Sequence, residues 1–133
     1  RLGMVENPYT DPDALPPIGN PEALATAKTA GLQSVVMLKN ENSVLPLSTD
    51  RLERIGVIGP LADAPYEQLG TWIFDGDREL SVTALEGIRG LVGDDVQIEY
   101  VRAMETSRSK STGPFDEAVA AAMQSDAALL FLG

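Results

Sequence analysis

Two short runs constrain this chain most: Arg54-Ile55-Gly56-Val57-Ile58-Gly59 and Ala127-Ala128-Leu129-Leu130-Phe131-Leu132. Neither alternates between apolar and polar residues. A strand that is apolar on both faces needs cover on both faces, as in a parallel sheet sandwiched between helices. The first run ends in Gly59-Pro60, the signature of a buried strand leaving a sheet through a tight turn. The second suits a central parallel strand. A third run, Val96-Gln97-Ile98-Glu99-Tyr100, does alternate, as expected of a strand near the sheet edge.

Helical patterns separate these runs. Thr83-x-x-Glu86 is a capping box, and Ala84, Leu85, Ile88, Leu91 and Val92 continue it as an amphipathic helix that Gly93 stops. Phe115, Ala118, Val119 and Ala122 mark another helix after Pro114. Near the start, Asn20 offers a capping acceptor and Pro21 fits the first turn. Leu24, Ala27, Gly31, Val35 and Leu38 then recur at helical spacing through Lys39, and the small residues among them suit close packing on a sheet. Asn40-Glu41-Asn42-Ser43 breaks that helix, and Val44-Leu45-Pro46-Leu47 reads as a short extended piece.

The resulting order is helix, strand, helix, strand, helix, strand. It predicts an α/β fold with an open, mostly parallel sheet and helices on both faces, an αβα sandwich in three layers. With the alternating strand at an edge, the spatial order is second, first, third. Ligands of such sheets bind beyond the carboxyl ends of the strands, at the point where the chain reverses direction. The stretch Pro60 to Leu80 would form one wall of that crevice. The other wall would follow Gly133, so the sandwich is expected to be incomplete and its site cut in half. The chain starts at Arg1 without Met or a signal-like apolar stretch, which reads as a cut or mature end.

Residues 1–20 hold Gly3, Pro8, Pro12, Pro16, Pro17 and Gly19 with little apolar period. Proline fixes φ and removes donors, so this stretch reads as an interdomain linker, with residues 21–133 as the N-terminal part of the sandwich domain.

Composition excludes several chemistries. The chain has no Cys and no His. Thiol nucleophiles, zinc sites of the usual ligand types and a Ser-His-Asp triad cannot be built within it. Ten basic against twenty acidic residues give a formal net charge of -10. That surface repels phosphate backbones and disfavours nucleic acid; solubility accounts for it more simply than an acidic-partner role. No apolar run approaches the roughly 18 residues that span a bilayer, so a soluble chain is expected. Neither an oligomeric state nor a compartment follows from these residues.

Among possible site motifs, Gly56-Val57-Ile58-Gly59 lacks the G-x-G-x-x-G spacing, and Pro60 removes an N–H that a phosphate cradle would use. Asp75, Asp77 and Glu79 resemble a calcium loop only loosely and read better as a solvated acidic turn, with no metal expected. Ser107, Ser109 and Ser111, with Arg108 and Lys110, read as a surface loop without a paired nucleophile and base. Trp72 is the informative residue. It is the only Trp, it lies between Gly70 and Gly76 in a long loop, and Phe74 is nearby. It could plug a gap between loop and core, or offer a flat apolar platform to a sugar ring.

The run Gln33-Ser34-Val35-Val36-Met37-Leu38-Lys39-Asn40, followed by Leu45-Pro46-Leu47, resembles a segment of glycoside hydrolase family 3. Ile55-Gly56-Val57-Ile58-Gly59-Pro60-Leu61-Ala62-Asp63, Leu69-Gly70-Thr71-Trp72 and Val82-Thr83-Ala84-Leu85-Glu86-Gly87-Ile88 follow in the order and spacing of its bacterial β-glucosidase-like members. Asn7-Pro8-Tyr9 in the linker is also similar. This resemblance implies a retaining, exo-acting β-glycosidase acting on a β-glucoside or oligosaccharide, a β-glucosidase rather than a β-xylosidase, without a cofactor. A preceding TIM-like barrel would supply the nucleophilic aspartate, and a loop just beyond Gly133 the acid/base glutamate. No catalytic residue is then expected in this chain. Trp72 would stack on the sugar next to the scissile bond, with Phe74 beside it as a second substrate-binding residue. The resemblance also implies a periplasmic or secreted protein. Because the sheet would end on a buried-type strand with an unpaired edge, the chain is expected to be inactive and poorly stable by itself. The competing expectations are a non-catalytic carbohydrate-binding or interaction domain and, more remotely, a nucleotide-binding α/β domain.

Overall fold

The computed structural model describes residues 3–15, 17, 19–106 and 108–133; Pro16 and Ser107, named above, lie outside the described residues. Two compact units divide the chain, residues 1–45 and 46–133.

Among its described residues the first unit contains one α-helix, α1 (Pro21–Ser34), besides two single 3-10 turns. Its start is as expected, with the Asn20 side chain accepting the Ala23 N–H at 2.9 Å and Pro21 in the first turn. Its end is not. The helix stops at Ser34 rather than Lys39, because Val35 is already extended (φ -70°, ψ 128°). Gly31 weakens the last turn, and the β-branched pair Val35-Val36 favours extended backbone. No side chain of α1 is buried. The piece expected to be extended at Val44 is instead part of a turn. Val44 is helical in its dihedrals, and Asn42 and Ser43 have positive φ. Asn40 closes this turn by exchanging two hydrogen bonds of 2.9 Å with the backbone of Leu45. An Asn side chain can satisfy backbone groups in this way where the chain folds back.

The second unit contains the sheet. Its strands are β1 (Arg54–Ile58), β2 (Gln97–Val101) and β3 (Ala127–Leu130), and its helices are α2 (Ala84–Val92) and α3 (Phe115–Met123). The spatial order is β2-β1-β3, the expected one, and both pairings are parallel. Ile55 faces Ile98 on one side and Ala127 on the other, and this register runs through to Ile58.

Alternate residues of β1 point to opposite faces. Ile55 and Val57 pack with Leu85 and Val92 of α2, together with Ala62 and Val96. Ile58 packs with Val101, Ala103 and Ala121 of α3. The two helices therefore cover opposite faces, and the three layers of the expected sandwich are present. Gly56 allows α3 to approach, since a Cβ there would sit 3.2 Å from Ser125 Oγ and 3.5 Å from the Ala121 carbonyl oxygen. The capping box of α2 is formed as its spacing requires, with Glu86 N–H donating to Thr83 Oγ1 and Thr83 N–H donating to Glu86 Oε2.

Among the described residues β3 pairs with β1 alone, so the expected order leaves a strand of buried-type composition at an open edge of the sheet. Leu130 and Leu132 are correspondingly exposed.

Candidate functional site

The site begins where β1 ends. Gly59 has a φ of 123°, a conformation that side chains rarely adopt. A Cβ at this position would overlap the carbonyl oxygen of Phe131. Glycine thus lets the end of β1 pass the end of β3 while Phe131 N–H still donates to the Ile58 carbonyl at 2.8 Å. On the other side, Gly59 N–H donates to the Val101 carbonyl at 2.9 Å. The root of the next loop is fixed by Leu85 N–H donating to the Ala62 carbonyl, also at 2.9 Å. Ala62 and Leu85 are both core residues.

From this root the chain leaves the carboxyl end of β1. Only two single turns, at Glu67–Leu69 and Arg78–Leu80, interrupt an otherwise irregular stretch to Leu80, as expected. Trp72 and Phe74 lie between those turns. They are 83% and 87% exposed, so neither ring plugs the core of its own unit. Their ring centroids are 6.2 Å apart and their planes are inclined by 45°. The structure therefore brings together the two residues singled out as substrate-binding, and it presents both to solvent. Phe74 holds a positive φ of 33°, which is uncommon for an aromatic residue. Gly76 N–H donates to the Ile73 carbonyl within the same turn.

The acidic residues after Phe74 have a local task. Asp77 Oδ1 accepts the Glu79 N–H at 2.9 Å and caps the second turn. Among the described residues no three Asp or Glu side chains gather closely enough to hold a metal ion.

A neighbouring cavity with several charged residues in its lining was not singled out by the sequence motifs. It has a volume of about 360 Å³ and is lined by Pro60, Leu61 and Glu67 from the root of the loop and by Arg102 and Glu105 after β2. The available signal was topological, because Arg102 directly follows a parallel strand at its carboxyl end. Nearby, burial raises the pKa of the Tyr100 phenol, with the Asp63 carboxylate adding and Arg102 opposing. Its hydroxyl remains a hydrogen-bond donor at neutral pH.

A parallel sheet in the order β2-β1-β3, covered by helices on both faces, defines the class of open α/β sandwich domains. Comparison with known proteins narrows that class. Residues 35–133 match the sequence model of the glycosyl hydrolase family 3 C-terminal domain, and the chain belongs to this family. A β-xylosidase of Formosa agariphila is 34% identical over 76% of the chain. A periplasmic β-glucosidase of Salmonella typhimurium is 32% identical and covers the whole chain. A lysosomal β-glucosidase of Dictyostelium discoideum is 29% identical over 99% of it. The chain spans 14%, 19% and 17% of the lengths of these three relatives. Among solved structures, a β-glucosidase from Listeria innocua in complex with isofagomine superposes with a TM-score of 0.75 at 29% identity, over 99% of this chain and 18% of that one. A β-glucosidase involved in saponin metabolism from intestinal bacteria gives 0.65 at 28% identity, over 98% and 21%. The relatives are thus glycoside hydrolases, and they include proteins named as periplasmic and lysosomal. No helix among the described residues is long and apolar enough to cross a membrane.

Proposed function

We propose that this chain supplies one wall of the sugar site in a retaining, exo-acting β-glycosidase that removes terminal β-linked glucose from oligosaccharides or glycosides. One observation carries the reading: Trp72 and Phe74 stand exposed as a tilted pair on the loop leaving the central strand. A pyranose ring has a face of C–H groups that stacks on an aromatic surface while its hydroxyls stay solvated or hydrogen-bonded. Trp72 is the platform for the sugar beside the scissile bond, and Phe74 flanks it. Membership of a family whose named relatives include β-glucosidases supports glucose as the sugar.

The catalytic carboxylates are assigned elsewhere in the full-length protein. A retaining mechanism uses two carboxyl groups about 5–5.5 Å apart, one as nucleophile and one as acid/base. In this reading a TIM-like barrel provides the first and a loop of the sandwich outside residues 1–133 provides the second. Residues 1–20 act as the linker between barrel and sandwich, and residues 21–133 begin the sandwich. The enzyme works in the periplasm or outside the cell and uses no cofactor.

The test is steady-state kinetics of the full-length enzyme. Trp72→Ala should lower kcat/KM on β-linked glucose disaccharides about tenfold, in line with roughly 1 kcal/mol or more for a stacked aromatic. An unchanged value would remove the platform role. Since β-xylosidases are also among the relatives, the ratio of kcat/KM on aryl glucoside and aryl xyloside decides between the sugars. Residues 1–133 alone are expected to hydrolyse no aryl glucoside. Calorimetry of the same piece with glucose and cellobiose should give almost no heat; clear binding would favour a non-catalytic carbohydrate-binding domain.

A further inference from the structure

The loop that carries Trp72 folds on itself, and two contacts close its base. The guanidinium carbon of Arg78 lies 5.6 Å from the centre of the Tyr66 ring, within cation–π range. The side-chain amide of Gln68 donates to the Val82 carbonyl at 2.9 Å. Nearer the tip, Ile73 and Leu69 close around Gly76, where a Cβ would sit 3.3 Å from Ile73 Cβ and 3.4 Å from Leu69 Cδ1. Tyr66 belongs to the outgoing limb and Arg78 to the returning one, with Trp72 and Phe74 between them. Tyr66 is half exposed and belongs to neither core cluster. Among the described residues Arg78 is in no ion pair. Its contact with the Tyr66 ring joins the outgoing and returning limbs through their side chains.

We infer that Tyr66 and Arg78 are positioning residues, whose stacking clasps the base of the loop and holds Trp72 in its sugar-facing arrangement. The inference rests on the reading of Trp72 as a sugar platform. Closing a flexible loop has an entropic cost that rises with its length. A clasp formed before substrate arrives removes that cost from the binding step. When only a fraction of molecules has the loop in place, apparent affinity falls by that fraction. Once the sugar is bound the loop is in place, so the effect falls on KM and spares kcat. The pair also explains why an arginine is useful here. Its planar cation can lie over a ring, whereas a lysine ammonium is a strongly hydrated point charge.

The experiment is a set of variants of the full-length enzyme assayed on a β-linked glucose disaccharide, each checked by thermal unfolding. Tyr66→Leu and Arg78→Met should each raise KM roughly threefold, the scale of an exposed cation–π contact, with kcat unchanged. Tyr66→Phe keeps the ring face and should match wild type. The double variant should be no worse than either single one, and Tyr66→Leu should have no further effect in a Trp72→Ala background. If Trp72→Ala itself leaves kcat/KM unchanged, the platform reading fails and the clasp falls with it. If Trp72→Ala is impaired while Tyr66→Leu and Arg78→Met match wild type, the clasp alone is overturned. It is overturned equally if Tyr66→Phe is as damaging as Tyr66→Leu, or if Tyr66→Leu adds its full effect to Trp72→Ala.

Discussion

The two ends of the sheet use their polar groups in opposite ways. At the amino end, one oxygen of Asp126 accepts the N–H groups of Glu53 and Arg54 at 2.8 and 2.9 Å. The Arg54 guanidinium donates to Gln97 at 2.8 Å and to Gln124 at 3.4 Å. These residues stand at the starts of all three strands, so the contacts tie the strands to one another. At the carboxyl end the long connection after β1 presents Trp72 and Phe74 to solvent, and its Glu67 lines a cavity together with Arg102 and Glu105 from the connection after β2. Short connections leave polar groups near one another, where they pair. Long connections can carry side chains away from the sheet, and there they are free to meet a ligand. The amino end holds the fold together; the carboxyl end is where the proposed sugar site is built.

The largest expected effect tests the one point at which the carboxyl end is also structural. Gly59→Ala puts a methyl group onto the Phe131 carbonyl oxygen and strains a positive φ. It should cost about 4 kcal/mol or more, at the exceptional end of single substitutions, and be seen as loss of soluble full-length protein or collapse of its melting transition. A variant that melts like wild type would mean that β1 and β3 separate at this end.

Next in size is Leu85→Ala, beneath the root of the loop. Leu85 is 1% exposed and packs in the cluster of Ile55 and Val57. The cavity left behind should cost about 2–5 kcal/mol in denaturant unfolding. A loss much below that range would show that the loop root collapses easily and is no rigid support for Trp72.

Trp72→Ala sharpens the contrast in the other direction. With the ring so exposed, the variant should unfold within about 0.5 kcal/mol of wild type while losing about tenfold in kcat/KM. A substantial fall in stability would make the ring a structural plug in the full-length protein and erase the difference between the two ends.

The smallest effect concerns the amino end and depends on pH. Hydrogen bonds from the Arg54 N–H, and then from the Glu53 N–H, hold the Asp126 pKa below the ordinary carboxylate value. The folded value is thus lower than the unfolded one. The contribution to stability is present above the unfolded value and disappears as pH falls through the folded one. Asp126→Asn keeps an acceptor without the charge. Melting curves from neutral pH down to about pH 3, just below the ordinary Asp value, should fall less steeply for the variant than for wild type. Parallel curves would mean that the charge does not contribute to the amino-end contacts.

The order of elements, the strand order and the capping box of α2 were all legible in the residues, because each depends on local signals. Apolar runs, alternation in Val96–Tyr100 and the Thr83/Glu86 spacing dictate strand, edge and helix start without reference to distant residues. α1 ends sooner than its apolar spacing implies, because that spacing continues through Val35 and Leu38 while backbone preference has already turned against the helix. Leu85 and Val57 could be placed in a core from sequence. The Asp126 contacts could not, since their partners lie more than seventy residues apart in the chain.

For the candidate site, the residues alone place a lone tryptophan in an overlong loop after a buried strand, with a phenylalanine two residues on. Whether that ring fills the core or faces outward depends on long-range packing, because side chains compete for burial. Ala62 and Leu85 already fill the space beneath the loop, the Tyr66–Arg78 contact closes its base, and Trp72 is left outside.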